Sequence, residues 1–412
     1  MKKITLSAAA VLSLATLPSA VSAADGFSLF SDAKFSGEIR PRYEYVEVDK
    51  STKNDANAMT VRAVLGMEAK LLGIDGLSVK VEGTTVQTLG DTRYDNDPLA
   101  TRGDARYQVV ADPEQTRFTQ AYLQYKYGAT AIKAGRQIVN LDNQRFVGSV
   151  DWRQMPQTFD AVVLSNTSIA GLTLIGAYVD KFETVFDRPT VDTSSVILNG
   201  SYKVSDMLKV TAYDYMLSSI HDTMGMALTG VVPVSAAKVD YRAEYAKQSD
   251  PSRDTGGGAK NVNADAYYYN LEATANMNGL SAGVGYEFLS GTTGTDGKTA
   301  FSTPLATLHK FNGWADKFLV TPAGGIQDAS LSLGYGAQGL GKAMAVYHKF
   351  DTDCTMAGKS DLGSEYDLMY TNAIPGIKGL NGLAKAAYFK AGDVAGFNAD
   401  VTKFWLQLDY KF

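Results

Sequence analysis

Residues 401–412 read VTKFWLQLDYKF. In an extended chain, Phe404, Leu406, Leu408, Tyr410 and Phe412 fall on one face. Lys403, Gln407, Asp409 and Lys411 fall on the other, because side chains alternate with period two along a strand. A soluble edge strand would seldom expose five large apolar residues on one face up to its last residue. A strand with lipid on one side and water on the other needs that division.

The same alternation recurs along the chain. In 58–71 the odd positions are Met59, Val61, Ala63, Leu65, Met67, Ala69 and Leu71, and the even ones include Thr60, Arg62, Glu68 and Lys70. In 34–48, Ser36, Glu38, Arg40, Arg42 and Glu44 oppose Phe35, Ile39, Tyr43 and Tyr45. In 238–245, Asp240, Arg242 and Glu244 oppose Val239, Tyr241, Ala243 and Tyr245. An Arg or Lys on a lipid-facing position at the midplane costs about 2–4 kcal/mol, so the charged faces must line a lumen. About eighteen such strands fit between 34–48 and 399–412, each long enough to span when tilted. Short connections (Gly128-Ala129, Ser205-Asp206, Met277-Asn278, Gly339-Leu340) alternate with long ones (89–114, 139–157, 248–262, 291–326). The expected fold is all-β: a transmembrane antiparallel β-barrel with short periplasmic turns and long outer loops. Only 171–184 alternates too poorly for its faces to be assigned. The charge-free run 161–179 is interrupted by Ser165-Asn166-Thr167-Ser168 and reads as two strands, not a spanning helix.

The N-terminus gives the compartment. Lys2 and Lys3 precede an apolar run from Ile4 to Leu17, Pro18 breaks it, and Val21-Ser22-Ala23 offers the small-x-small pattern of a signal-peptidase site. Residues 1–23 therefore read as a signal peptide cleaved after Ala23, and 24–412 as the mature barrel. The expected location is the outer membrane of a Gram-negative-type bacterium, in contact with lipid and lipopolysaccharide. An alternating strand ending on Phe412 resembles the signal read by the barrel-insertion machinery, an expected partner.

The single cysteine, Cys354, provides no disulfide framework, so packing and hydrogen bonding must hold the chain. Loss of the leader takes the formal charge from −5 to about −7, since Lys2 and Lys3 are the only charges before Ala24. An acidic chain is a poor match for nucleic acid.

The lumen charges are mixed. Arg40, Arg42, Arg62, Lys80, Lys126 and Arg242 stand beside Glu38, Glu44, Glu68, Glu82, Asp240, Glu244 and Glu272. Mixed walls give a transverse field that suits polar solutes. The densest chemistry is GRQIVNLDNQRFVGSVDWRQMPQTFD at 135–160, with Arg136, Arg145 and Arg153 among Asp142, Asp151 and Asp160. It reads as the third outer loop. Packed inward, it would line a constriction with guanidinium forks suited to carboxylates; alternatively, the same charges brace the loop itself.

The run 134–161, LHKFNGWADKFL at 308–319 and GSEYD at 363–367 together resemble the alginate-export outer-membrane channel family. That family is similar in architecture to the OprD-type substrate-specific porins. The resemblance implies an eighteen-stranded monomeric barrel with a loop-constricted, arginine-lined pore, and Arg136, Arg145 and Arg153 fall inside the matching motif. The expected function is passive diffusion of small hydrophilic solutes, anionic ones among them. Export of an anionic polysaccharide such as alginate is the alternative, and an outer-membrane hydrolase or an adhesive barrel follows behind. The three histidines, His221, His309 and His348, lack ligand spacing. No cofactor, metal or catalytic group is expected, and Phe311, Trp314 and Phe318 read as packing under a long loop.

Mass analysis of the protein from outer-membrane fractions should place the mature N-terminus at Ala24. Intact Met1, or recovery from the cytosol, would overturn the leader and the location together.

Overall fold

Period-two alternation over eighteen segments produces a sheet that closes on itself. The computed structural model describes residues 29–90, 92–97, 103–253, 263–294 and 297–412; the leader and cleavage site expected at 1–23 lie outside the described residues. The strands are β1 Phe30–Val48, β2 Ala56–Leu71, β3 Leu77–Thr88, β4 Gln115–Tyr127, β5 Thr130–Gln137, β6 Thr158–Asn166, β7 Leu172–Glu183, β8 Val191–Ser205 and β9 Leu208–Leu217. They continue as β10 His221–Val234, β11 Ala237–Ser249, β12 Asp265–Met277, β13 Leu280–Leu289, β14 Ile326–Ala337, β15 Gly341–Met356, β16 Lys359–Ala373, β17 Leu380–Ala391 and β18 Val401–Lys411. Each pairs antiparallel with its sequence neighbours, and β18 returns to pair with β1, so no edge is left open.

The long connections 89–114, 138–157, 250–264 and 290–325 share one end, taken as the outer one. Two outer connections, 218–220 and 357–358, are as tight as periplasmic turns. Among the turns, Asn278 and Gly279 both hold positive φ, 51° and 84°, the hairpin geometry that Asn-Gly adopts with least strain.

The faces fall as the alternation requires. Phe35, Leu331, Leu333, Leu368, Leu406 and Leu408 are exposed outward. Glu38, Arg40, Arg42, Glu44, Thr60 and Arg62 are buried inward. The largest apolar core lies inside the barrel, where outer loops fold back through its mouth. Phe146 of the connection 138–157 packs on Tyr213, Tyr268 and Phe301, with ring centroids 5.2, 5.4 and 6.1 Å away. Phe318 of the connection 290–325 packs on Phe350, Phe389 and Phe397.

This inward packing explains why β7 alternates poorly. Its inner face, Ala177 and Val179, joins the buried cluster of Leu141, Phe146, Val147 and Phe159, so both faces are apolar. In addition, the register shifts between Val179 and Lys181 against β8, and between Asp160 and Ala161 of β6.

The closing seam is tight. Gly37 and Phe412 exchange two backbone hydrogen bonds, 2.9 and 3.1 Å, and a Cβ at position 37 would lie 2.2 Å from the edge of the Phe412 ring. Deleting Phe412 removes both bonds, each worth about 1 kcal/mol net. Gly37→Val forces a branched side chain against the ring, an overpacking cost of about 1–3 kcal/mol. Both variants should lose compact, folded migration in gels at a lower temperature than the parent; unchanged melting would contradict this account of closure.

Candidate functional site in the lumen

Three outer connections meet inside the lumen, and charged side chains hold them to the wall. Ninefold repetition of hairpins leaves a wide interior, so a loop that enters needs partners for every polar group it carries into the barrel. The connection 138–157 finds them at two arginines.

Arg153 reaches Glu44 of β1 at 3.0 Å and Asp316 of the connection 290–325 at 2.9 Å, and Asp112 of the connection 89–114 lies 3.8 Å away. Its guanidinium joins three loops and the wall. Arg145 donates to Glu287 of β13 at 2.7 Å, to Thr303 at 3.2 Å and to Asn312 at 3.1 Å. Both side chains are almost fully buried. Neighbouring carboxylates outweigh burial and hold both guanidinium groups above their ordinary range, so neither loses its charge. Their forked donors suit this multi-partner role in a way lysine would not.

The wall arginines complete the lattice. Arg40 donates to Asp409 at 3.1 Å and to the carbonyl of Asp151 at 2.9 Å. Arg42 donates to Gln407 and to the carbonyl of Trp152, and stacks over the Trp152 ring at 4.3 Å. Arg62 pairs with Asp151 at 2.5 Å and Glu38 at 3.3 Å. Arg242 pairs with Asp142 and, at 2.8 Å, with Glu244. Asp151 still leaves half its side chain in the open lumen. Thus Arg40, Arg42, Arg62 and Arg242 on the wall meet Asp142, Asp151 and Trp152 on the loop, and Arg145 and Arg153 of the loop reach Glu287 and Glu44 on the wall.

Arg136 and Asp160 differ from expectation. They belong to β5 and β6 rather than to the loop and pair with each other across the strand register at 2.7 Å, with Glu183 at 2.7 Å from Arg136. The loop is shorter than the 135–160 stretch because the chain stays extended through Gln137 and resumes at Thr158.

A second cluster was not legible as a site. All three tryptophans surround the ammonium of Lys385 on β17: Trp314 at 3.8 Å, Trp152 at 4.3 Å and Trp405 at 5.6 Å to the ring centroids. His309 stacks flat on Trp152 at 4.3 Å. Its Nδ1 contacts Asp316 at 2.6 Å and its Nε2 faces Lys385 at 2.7 Å. Asp316 also accepts from Lys403 at 2.8 Å. Salt-bridge partners hold the Asp316 carboxyl well below its usual range, while burial drives His309 well below the ordinary imidazole value and keeps it neutral. The backbone N–H groups of Trp314 and Ala315 donate to Asp367 and Glu365 of β16. The 308–319 motif, read from sequence as packing, therefore also docks on the wall. Its sequence signal was faint: Trp405 is the one aromatic on the polar face of β18, and Lys385 is a lone cation among Leu383, Ala387 and Phe389.

The sequence pattern of the alginate export family matches residues 32–403. The chain belongs to the alginate export family. Among solved structures, this family member is similar to Pseudomonas aeruginosa OccK9 (OpdG), with a TM-score of 0.73 at 19% identity over 93% of this chain and 99% of that one. It is similar to P. aeruginosa OpdO, with a TM-score of 0.71 at 16% identity over 93% and 98% of the two chains. It also resembles P. aeruginosa OpdK with vanillate, with a TM-score of 0.71 at 14% identity over 93% and 100%. At such identities the likeness is one of fold. None of the curated proteins matches this alginate export family member.

Removing one partner of a buried ion pair costs about 3–5 kcal/mol, because the other charge stays buried without compensation. Arg153→Ala and Arg145→Ala should therefore lower the denaturant midpoint of the refolded barrel. Arg153→Ala should also shift tryptophan emission to the red, since all three indoles sit in the cluster it anchors. Arg106→Ala, which removes an exposed pair with Asp104, should change neither. Equal effects of all three would contradict the assignment.

Proposed function

We propose that this barrel is a passive channel in the outer membrane of a Gram-negative-type bacterium that admits small hydrophilic solutes beside its docked loops. The observation that carries the reading is an unfilled strip of lumen along β12 to β15, about a quarter turn round the barrel from the latch on β1, β17 and β18 and on the periplasmic side of the Arg145–Glu287 contact. At the periplasmic end of this strip lies a cavity of about 810 Å³ lined by Lys238, Asn276, Ser281, Gly334 and Lys342. Further up the same strands, a narrower one of about 210 Å³ is bounded by Glu272, Thr274, Gly285, Ser330 and Ser332 on the wall and by Lys310 and Phe311 on the loop. Small side chains at these inward positions leave the space, and the loop residues narrow it.

In this reading Arg145 and Arg153 hold the loops rather than face the solute, while Asp151, Lys310 and Glu272 contact the aqueous path. Outer-membrane lipid and lipopolysaccharide surround the apolar outer face, and the barrel-insertion machinery acts on the alternating strands. Membership of the alginate export family favours a second reading, export of an anionic polysaccharide.

Purified full-length barrel in a planar bilayer should conduct. The double variant Arg145→Gln, Arg153→Gln should raise open-channel noise as the loops loosen, without moving the reversal potential. A silent bilayer would overturn the channel, and a clean shift toward cation preference would make these arginines pore-lining. Modulation of the current by oligouronates, and not by small solutes, would favour the export reading.

A further inference from the structure

Most charges around the open strip are already paired. Glu287 is engaged by Arg145, Tyr268 and Asn312. Asp328 receives His348 at 2.8 Å and Asn312 at 3.2 Å. Arg242 and Lys209 share Asp142. Two opposite charges lining the narrow cavity remain without an ion-pair partner among the described residues: Lys310 on the loop and Glu272 on β12. Both are exposed to the lumen.

The ammonium of Lys310 donates to the carbonyl of Asn143 at 3.0 Å, which fixes its position and leaves two of its three protons for a ligand. Glu272 accepts from Asn270 at 2.7 Å through one carboxylate oxygen, and the other oxygen is available. The hydroxyls of Thr274, Ser330 and Ser332 and the ring of Phe311 line the same space. About 210 Å³ suits a solute of amino-acid size.

We infer that Lys310 and Glu272 form a two-point binding site for small zwitterionic solutes, with the solute carboxylate on Lys310 and its ammonium on Glu272. The inference rests on the proposed channel path. A pure anion gains Lys310 but meets Glu272, and a pure cation gains Glu272 but meets Lys310. A zwitterion satisfies both, and the low water content of a constriction keeps these charges weakly screened. Arg145 cannot substitute, because it is almost fully buried and already bound to Glu287, Thr303 and Asn312.

The experiment is block of single-channel current by L-alanine, compared with propionate, propylamine and glycerol, in the intact barrel. L-alanine should block at lower concentration than the other three. Lys310→Gln and Glu272→Gln should each weaken that block by about tenfold, the loss expected for one hydrogen bond to a charged group. Lys310→Arg, which keeps the charge, should retain most of it. The double variant should lose little more than either single, because both contacts serve one ligand. Equal block by L-alanine and propionate, or undiminished block in both Gln variants that still conduct, would overturn the zwitterion site while leaving the channel standing. Absence of any current from the parent barrel would instead overturn the channel reading beneath it.

Discussion

The architecture of the lumen depends on Arg153. Its guanidinium, buried where no water can solvate it, is satisfied only when Glu44 on the wall and Asp316 on a neighbouring loop are both in place. A buried charge of this kind contributes little net stability, because desolvation offsets most of the attraction. What it supplies is specificity: the loop conformations that leave it unpaired are several kcal/mol worse. Asp112, Asp316, Lys403, His309 and Lys385 follow from that one node in a connected chain, which ties three outer connections to β1, β17 and β18, while Arg145 and Arg242 tie the same connection 138–157 to β13 and β11. The periplasmic stretch of β12 to β15, beyond the Arg145–Glu287 contact, is left uncovered.

That asymmetry makes the small inward residues of β13 and β14 consequential. On the latched side, large wall groups such as Arg42, Trp405 and Lys385 fill the gap to the loops. On the open side, Ser281, Gly283, Gly285, Ser330, Ser332 and Gly334 occupy the corresponding inward positions. The wall is thus graded in size around its circumference, large where the loops dock and small where solute has room. The charges facing the room are few, which sharpens the effect of those that remain.

The sequence disclosed the barrel because lipid on one side and water on the other enforce alternation residue by residue, as in 58–71 and 404–412. It disclosed the strand number because connections interrupt that alternation. It obscured β7, where a loop packed from inside makes the inner face apolar as well, and two register shifts displace the phase. The importance of 138–157 was visible from the density of its charges. Their partners were not: Glu287 lies 142 residues beyond Arg145 and Asp316 lies 163 beyond Arg153, and no local pattern joins such distances. Lys385 and Trp405 could have been flagged only as exceptions to the pattern of their own strands. The cage that they form with Trp152 and Trp314 is a product of closure.

Thiol accessibility at two inward wall positions tests most directly whether the open path follows β12 to β15 rather than the latched wall. In a Cys354→Ser background, Ser332→Cys places a thiol on the strip beside Lys310, and Thr60→Cys places one behind the docked loop, where Gln154 now donates to the threonine hydroxyl at 3.0 Å. With a small charged thiol reagent acting on the barrel in a bilayer, the thiol at 332 should react quickly and the current should fall. The thiol at 60 should react far more slowly, with little change in current. Fast reaction and block at 60, with protection at 332, would contradict this account of the lumen.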